Sequence, residues 1–194
     1  MLLQQVYMPK RTFYAPIDAE ALEKYRIMAQ LGFYGVRMQS FDGASQFLKI
    51  TKSILESKAV TIWITPEGRF ADVRDHSVPL MPGLSHLAAK LPGVKFLPVA
   101  FEYSFWDESR PQIFVRFGTS IDSDESKSKI EWNALLNAKL RQTQDELALS
   151  VKSRDAAAFE YLIASRPVRL GWYDYGRSWS AWFRGKSFDP RHSV

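Results

Sequence analysis

The chain of 194 residues contains no cysteine, which excludes disulfides and thiolate metal sites and suits a reducing compartment. No run of about 18 apolar residues occurs, so no membrane-spanning helix is expected and any membrane contact is peripheral. The opening stretch, Met1 to Lys10, lacks the basic start, apolar core and small-residue cleavage site of an export signal, so no export is expected. Neither Gly-x-x-x-x-Gly-Lys nor Gly-x-Gly-x-x-Gly is present, and no nucleotide cofactor is expected. Histidine is scarce, with only His76, His86 and His192. Beyond the Asp72 to His76 cluster no His or carboxylate pair recurs at a ligand spacing, so no metal is expected. Internal repeats and low-complexity tracts are absent.

What is there is apolar: 46% of residues are hydrophobic and 14% aromatic, enough for one sizeable core. Asp18 is positioned to cap a helix over Ala19 to Leu31, with Gly32 as its stop. Phe33 to Arg37 reads as a short strand. A second helix is expected from Asp42 or Gly43, with Phe47, Ile50, Ile54 and Leu55 on one face. It leads to Val60-Thr61-Ile62-Trp63-Ile64, an uncharged stretch that reads as a core strand. This is the rhythm of a crossover unit and predicts an α/β fold, with a mixed, largely parallel sheet flanked by helices. Phe96 to Tyr103 and Ile113 to Phe117 read as antiparallel neighbours joined through the Glu108-Ser109-Arg110-Pro111 turn. After a polar linker from Asp122 to Lys129, Ile130, Leu135, Leu136, Leu140 and Leu147 mark a long amphipathic helix, and Arg154 to Ala164 a further helical stretch. The expected organisation is an α/β core over residues 1–121 and a helical extension with a basic aromatic tail over 122–194.

Thr65-Pro66-Glu67-Gly68-Arg69-Phe70 places an acid, a glycine and a base in a tight turn directly after that core strand. Pro66 stops the strand, Gly68 permits close backbone approach, and Glu67 and Arg69 are left at the strand's carboxyl edge, where ligands bind in open sheets. A polar, anionic ligand fits such a site. A surface turn with a local ion pair is the alternative for an isolated Glu-Gly-Arg.

Downstream come the charged stretch Asp72-Val73-Arg74-Asp75-His76, a helix opened by Pro82-Gly83, and the strand Phe96-Leu97-Pro98-Val99-Ala100-Phe101. This order resembles the third and fourth sequence blocks of the glycerolipid acyltransferases, and Gly32 to Arg37 looks like the second block, one residue short. The resemblance covers residues 1–118 and is specific over 60–101. The family's first block, His-x-x-x-x-Asp, which supplies the base and its orienting acid, is absent: Met81 and Leu91 stand five residues beyond His76 and His86. A missing amino-terminal segment is the simplest account, and the departure puts activity in doubt.

The resemblance implies an acyltransferase-like fold and transfer of an acyl group from a thioester carrier, acyl-CoA or acyl carrier protein, to the hydroxyl of a glycerol phosphate or lysophospholipid. No other cofactor is implied. Glu67, Gly68 and Arg69 would hold the acceptor, with Arg69 forking onto phosphate, Arg37 and Arg74 as further cations, and Pro98 shaping the floor. No residue is assigned as catalytic. Asp72 or Asp75 could orient His76, although a solvated His76 is the simpler reading, and His86 reads as a packing or capping residue. The expected location is cytoplasmic, peripheral to the inner face of the membrane.

The net charge of +5 suggests an anionic partner. Between Arg166 and Arg191 the basic residues outnumber Asp174 and Asp189 and alternate with Trp172, Tyr173, Tyr175, Trp179, Trp182, Phe183 and Phe188. Trp172, Trp179, Trp182, Phe183 and Arg184 are the expected contacts with an anionic membrane surface. Packing of these rings back onto the domain is an equal alternative. Nucleic acid is disfavoured, since no recognised binding motif accompanies the charge. Two functional readings therefore stand: an acyltransferase domain impaired by the missing block, and a non-catalytic lipid-binding remnant of that family.

Overall fold

A computed structural model describes residues 2–37, 40–69, 71–106 and 111–163, with Phe41 described by its backbone alone. These residues form a mixed α/β structure with a small parallel sheet flanked by helices and a long helix near the carboxy-terminal end. The chain divides into two compact units. One comprises Met1–Val99 with Phe117–Thr143, and the other Ala100–Arg116 with, among the described residues, 144–163.

The first unit opens with helix α1 (Leu2–Tyr7) and strand β1 (Thr12–Asp18). Helices α2 (Ala19–Lys24) and α3 (Ile27–Gln30) lead to β2 (Phe33–Val36), and α4 (Phe41–Leu55) leads to β3 (Val60–Ile62). The strands lie in the order β2-β1-β3, all parallel, in the registers Asp18↔Val36 and Tyr14↔Ile62. Helices α2 and α3 connect β1 to its neighbour β2, and α4 carries the chain from β2 past β1 to β3. Tyr34 on β2 and the fully buried Thr51 on α4 share a hydrogen bond of 2.8 Å between their hydroxyls. Burial holds the Tyr34 phenol above its ordinary pKa, with the Thr51 bond opposing in part.

Several local expectations change. Asp18 does cap the first helix, its carboxylate accepting Glu20 N–H at 2.8 Å, and Gly32 does end the segment with φ 91. The helix itself breaks at Tyr25–Arg26 into α2 and α3. Helix α4 starts at Phe41, earlier than Asp42 or Gly43, because Ser40 Oγ accepts the Gly43 N–H at 2.9 Å and makes Ser40 the cap.

The central strand of this sheet is β1, which the pattern did not mark as a strand because Pro16 interrupts it. β3 is a half-buried edge strand of the sheet and not its core. Pro16 is tolerated for a geometric reason. Alternate residues of a parallel strand turn both backbone groups to the same neighbour, and Thr12 and Tyr14 turn theirs to the β3 side through Thr12 N–H to Ala59 O and Trp63 N–H to Tyr14 O. Pro16 is the next position on that side and has no N–H to offer, so the ladder ends and the chain after Trp63 leaves β1.

Beyond β3, α5 (Pro82–Lys90) begins with its proline in the first turn and packs on α4. The expected Phe96 to Tyr103 strand is two strands. β4 (Lys95–Phe96) pairs antiparallel with β7 (Ile121–Asp122), in the stretch read as entering a linker. β5 (Val99–Ser104) pairs with β6 (Gln112–Phe117) in a separate ribbon, Leu97-Pro98 marking the break. The Glu108 to Pro111 turn lies outside the described residues except for Pro111.

Helix α6 (Lys129–Ser153) serves both units in turn. In the first, Trp132 and Leu136 join Leu80 and Ala88 in one buried cluster; in the second, Leu147 and Val151 join Ala100 and Phe114. Ile130, assigned to the apolar stripe, is 82% exposed, and Trp132 takes its place at 0%. The helical stretch expected from Arg154 to Ala164 is, among its described residues, only a single 3-10 turn, Ala156–Ala158, capped by Asp155. Among the described residues no helix is long and apolar enough to cross a membrane.

Candidate functional site

In the order β2-β1-β3 the connection after β1 runs to β2, away from β3, and ligands of open parallel sheets bind outside the carboxyl ends of the strands at such a break. Pro16, which has no N–H to offer, ends the β1–β3 ladder after Trp63. The segment that follows β3 is a loop. Met81 N–H donates to Pro66 O at 2.7 Å, so residues 66–81 leave the sheet edge and return to it as a closed loop.

Within the loop, Gly68 has φ 64, a left-handed conformation that favours glycine, and its N–H bonds Thr65 O at 3.2 Å. The turn places Arg69 in solvent and Glu67 inward. Glu67 Oε1 receives Arg141 Nη1 at 2.8 Å, with side chains only 18% and 9% exposed respectively. Arg141 Nη2 donates to Val78 O at 2.6 Å. Glu67 is therefore engaged from within the protein, by a residue of α6.

The remaining acids of the loop shape its backbone. Asp72 Oδ1 accepts Arg74 N–H at 2.9 Å, and Asp75 Oδ1 accepts both the N–H of Ser77 at 3.0 Å and its hydroxyl at 2.5 Å. The Ser77 bonds hold the Asp75 carboxyl below the usual carboxylate range, and the positive charges of Arg69 and Arg141 add to the effect. Asp75 thus lies within electrostatic reach of both arginines. His76 and Arg74 are exposed on the same loop. His86, half-buried on α5, is held below its ordinary pKa by burial first and by Lys129 and Lys90 second.

Arg37 is exposed immediately after β2, at the same carboxyl edge as the loop but on the other side of β1, which puts its backbone roughly 10 Å from the end of β3. Its position is held by the start of α4: Ser40 Oγ reaches Arg37 O at 3.4 Å, and a Cβ on Gly43 would collide with that carbonyl. Gly43→Ala is accordingly expected to cost about 1–3 kcal/mol, since either the strand end or the helix start must shift. Thermal denaturation measures this, and an unchanged midpoint would show that the turn has room.

The structure thus brings Glu67, Gly68, Arg69 and Arg74 into one loop and sets Arg37 at the same carboxyl edge on the other side of β1. Pro98 is elsewhere, half-buried in the β4–β5 break, its carbonyl accepting Gly118 N–H at 2.8 Å. Trp172, Trp179, Trp182, Phe183 and Arg184 lie outside the described residues. Arg141 is the member that the sequence pattern missed. At 100° per residue it falls well off the stripe formed by Trp132, Leu136, Thr143 and Leu147, so nothing in the periodicity marks it as buried. Comparison with family models, curated proteins and solved structures finds no match.

Proposed function

We propose that the chain binds a phosphorylated glycerol or lysophospholipid at the crevice between β1 and β3, as a domain of the glycerolipid acyltransferase type whose acyl transfer from a thioester carrier is impaired. The observation that carries this reading is the solvent-facing Arg69, held on a positive-φ glycine turn at the carboxyl edge of a parallel sheet. Arg37 stands at the same edge. Two cations flanking a crevice favour a dianionic phosphate, and Arg69 can offer it two parallel N–H groups. Impairment follows from chemistry: transfer to a hydroxyl requires a base at the acceptor oxygen, and the sequence contains no His-x-x-x-x-Asp.

The reading as a non-catalytic lipid-binding remnant shares this site and rests on the same missing His-x-x-x-x-Asp block. Under either reading the domain works at the inner face of the membrane, where an acceptor lipid would present its headgroup.

Calorimetric titration with glycerol 3-phosphate and with lysophosphatidic acid tests the shared core of both readings. Arg69→Ala is expected to weaken binding about tenfold or more, the loss of one charge-assisted hydrogen-bonding group. Equal affinity in the variant and the parent would remove Arg69 from the site. An acyl-transfer assay on the same material separates the two readings, because turnover well above background supports an enzyme.

A further inference from the structure

Glu67 and Val78 lie toward opposite ends of the 66–81 loop, and one side chain holds both. The guanidinium of Arg141 spends Nη1 on the Glu67 carboxylate at 2.8 Å and Nη2 on the Val78 carbonyl at 2.6 Å. Between these two attachments run Arg69, Arg74 and Asp75. The loop is closed beyond them by Met81 N–H on Pro66 O, and next to Val78 the buried Leu80 enters the cluster that contains Trp132 of α6.

We propose that Arg141 is the positioning residue of the anion site: its fork fixes both limbs of the loop to α6 and so presents Arg69 at the crevice. Glu67 then serves as the counter-ion of Arg141 and not as a ligand of the acceptor. This rests on the anion-site reading given above.

Charge and geometry both support the assignment. A bare carboxylate two residues from Arg69 would repel a phosphate, and the pairing with Arg141 neutralises it. A planar guanidinium can also bridge two acceptors set at different angles, whereas an ammonium reaches them only as a point charge on a flexible stem. Without the bridge, Arg69 would be carried on a loop whose ordering must be paid for when the ligand arrives.

Arg141→Met, Arg141→Lys and Glu67→Gln in the full chain test this by two readouts: glycerol 3-phosphate affinity from calorimetry, and hydrogen exchange of the amides in 67–78 relative to those of β1. The expected result for Arg141→Met is an affinity loss of about tenfold together with faster exchange confined to the loop. Arg141→Lys should recover part of both, and if Arg141→Met does not fold, the lysine variant against the parent carries the same comparison. Glu67→Gln, which can still accept from Arg141 but without the charge, should loosen the loop and lower affinity by less than Arg141→Met does.

Faster loop exchange with unchanged affinity would overturn the positioning role and leave a purely structural contact. Lower affinity with unchanged loop exchange would overturn it in favour of direct contact between Arg141 and phosphate. A loss in Glu67→Gln as large as in Arg69→Ala, with loop exchange unchanged, would make Glu67 a ligand. A parent chain that binds no glycerol 3-phosphate overturns the anion site itself, and with it this proposal.

Discussion

Truncating Arg141 to alanine is expected to lower the stability of the chain by about 3–5 kcal/mol, because it strands the Glu67 carboxylate in a largely buried setting and leaves the Val78 carbonyl without that donor. Glu67→Ala should also destabilise, since it removes the carboxylate 2.8 Å from a guanidinium only 9% exposed. The two losses should not add. With both charges removed, as in Glu67→Leu with Arg141→Leu, neither ion is stranded, and most of the single-variant loss should return. Chemical denaturation of the two single variants and the double variant measures the coupling directly. Additive losses would show that the two side chains act independently and that the 2.8 Å contact carries no weight.

Trp132→Ala is the second large expected effect, about 3–5 kcal/mol, since this indole is fully buried and lies against Leu80, Ala88, Phe96 and Leu136. It also donates Nε1–H to Asp124 O at 3.3 Å. Trp132→Phe should cost less, because the ring keeps most of the volume and forfeits that weak hydrogen bond. The alanine variant has a further consequence for the site. Leu80 returns the loop to the sheet edge, so emptying the pocket beside it should speed exchange in the loop as well as lower the denaturation midpoint. Circular dichroism in a denaturant series gives the stability change. A loss below about 1 kcal/mol would mean that this part of α6 is not an integral part of the first core.

Much of the first unit is legible from local chemistry. Asp18 and Gly32 bracket a helical segment because a capping carboxylate and a left-handed glycine act within one turn of themselves. The alternation of apolar helices and strands from Phe33 to Ile64 specifies parallel crossovers because only such connections return the chain to the same end of a sheet. Pro66, Gly68 and the charges beside them mark a turn at a strand end for the same local reasons, and the loop is found there.

Tertiary structure alone decided which strand is central. Pro16 argues locally against a mid-sheet position, and it is admitted only because the neighbouring strand ends where its N–H would have been needed. It also decided the break at Leu97-Pro98, since β4 finds its partner in the distant β7. The partner of Glu67 was settled in the same way. A carboxylate on a turn reads the same in sequence whether it faces solvent, a ligand or another side chain, and its partner, Arg141, lies on a distant helix and away from that helix's apolar stripe. Composition and periodicity report what a residue does within its own element; long-range pairing of charges depends on where two elements meet, and that is determined only when the core has packed.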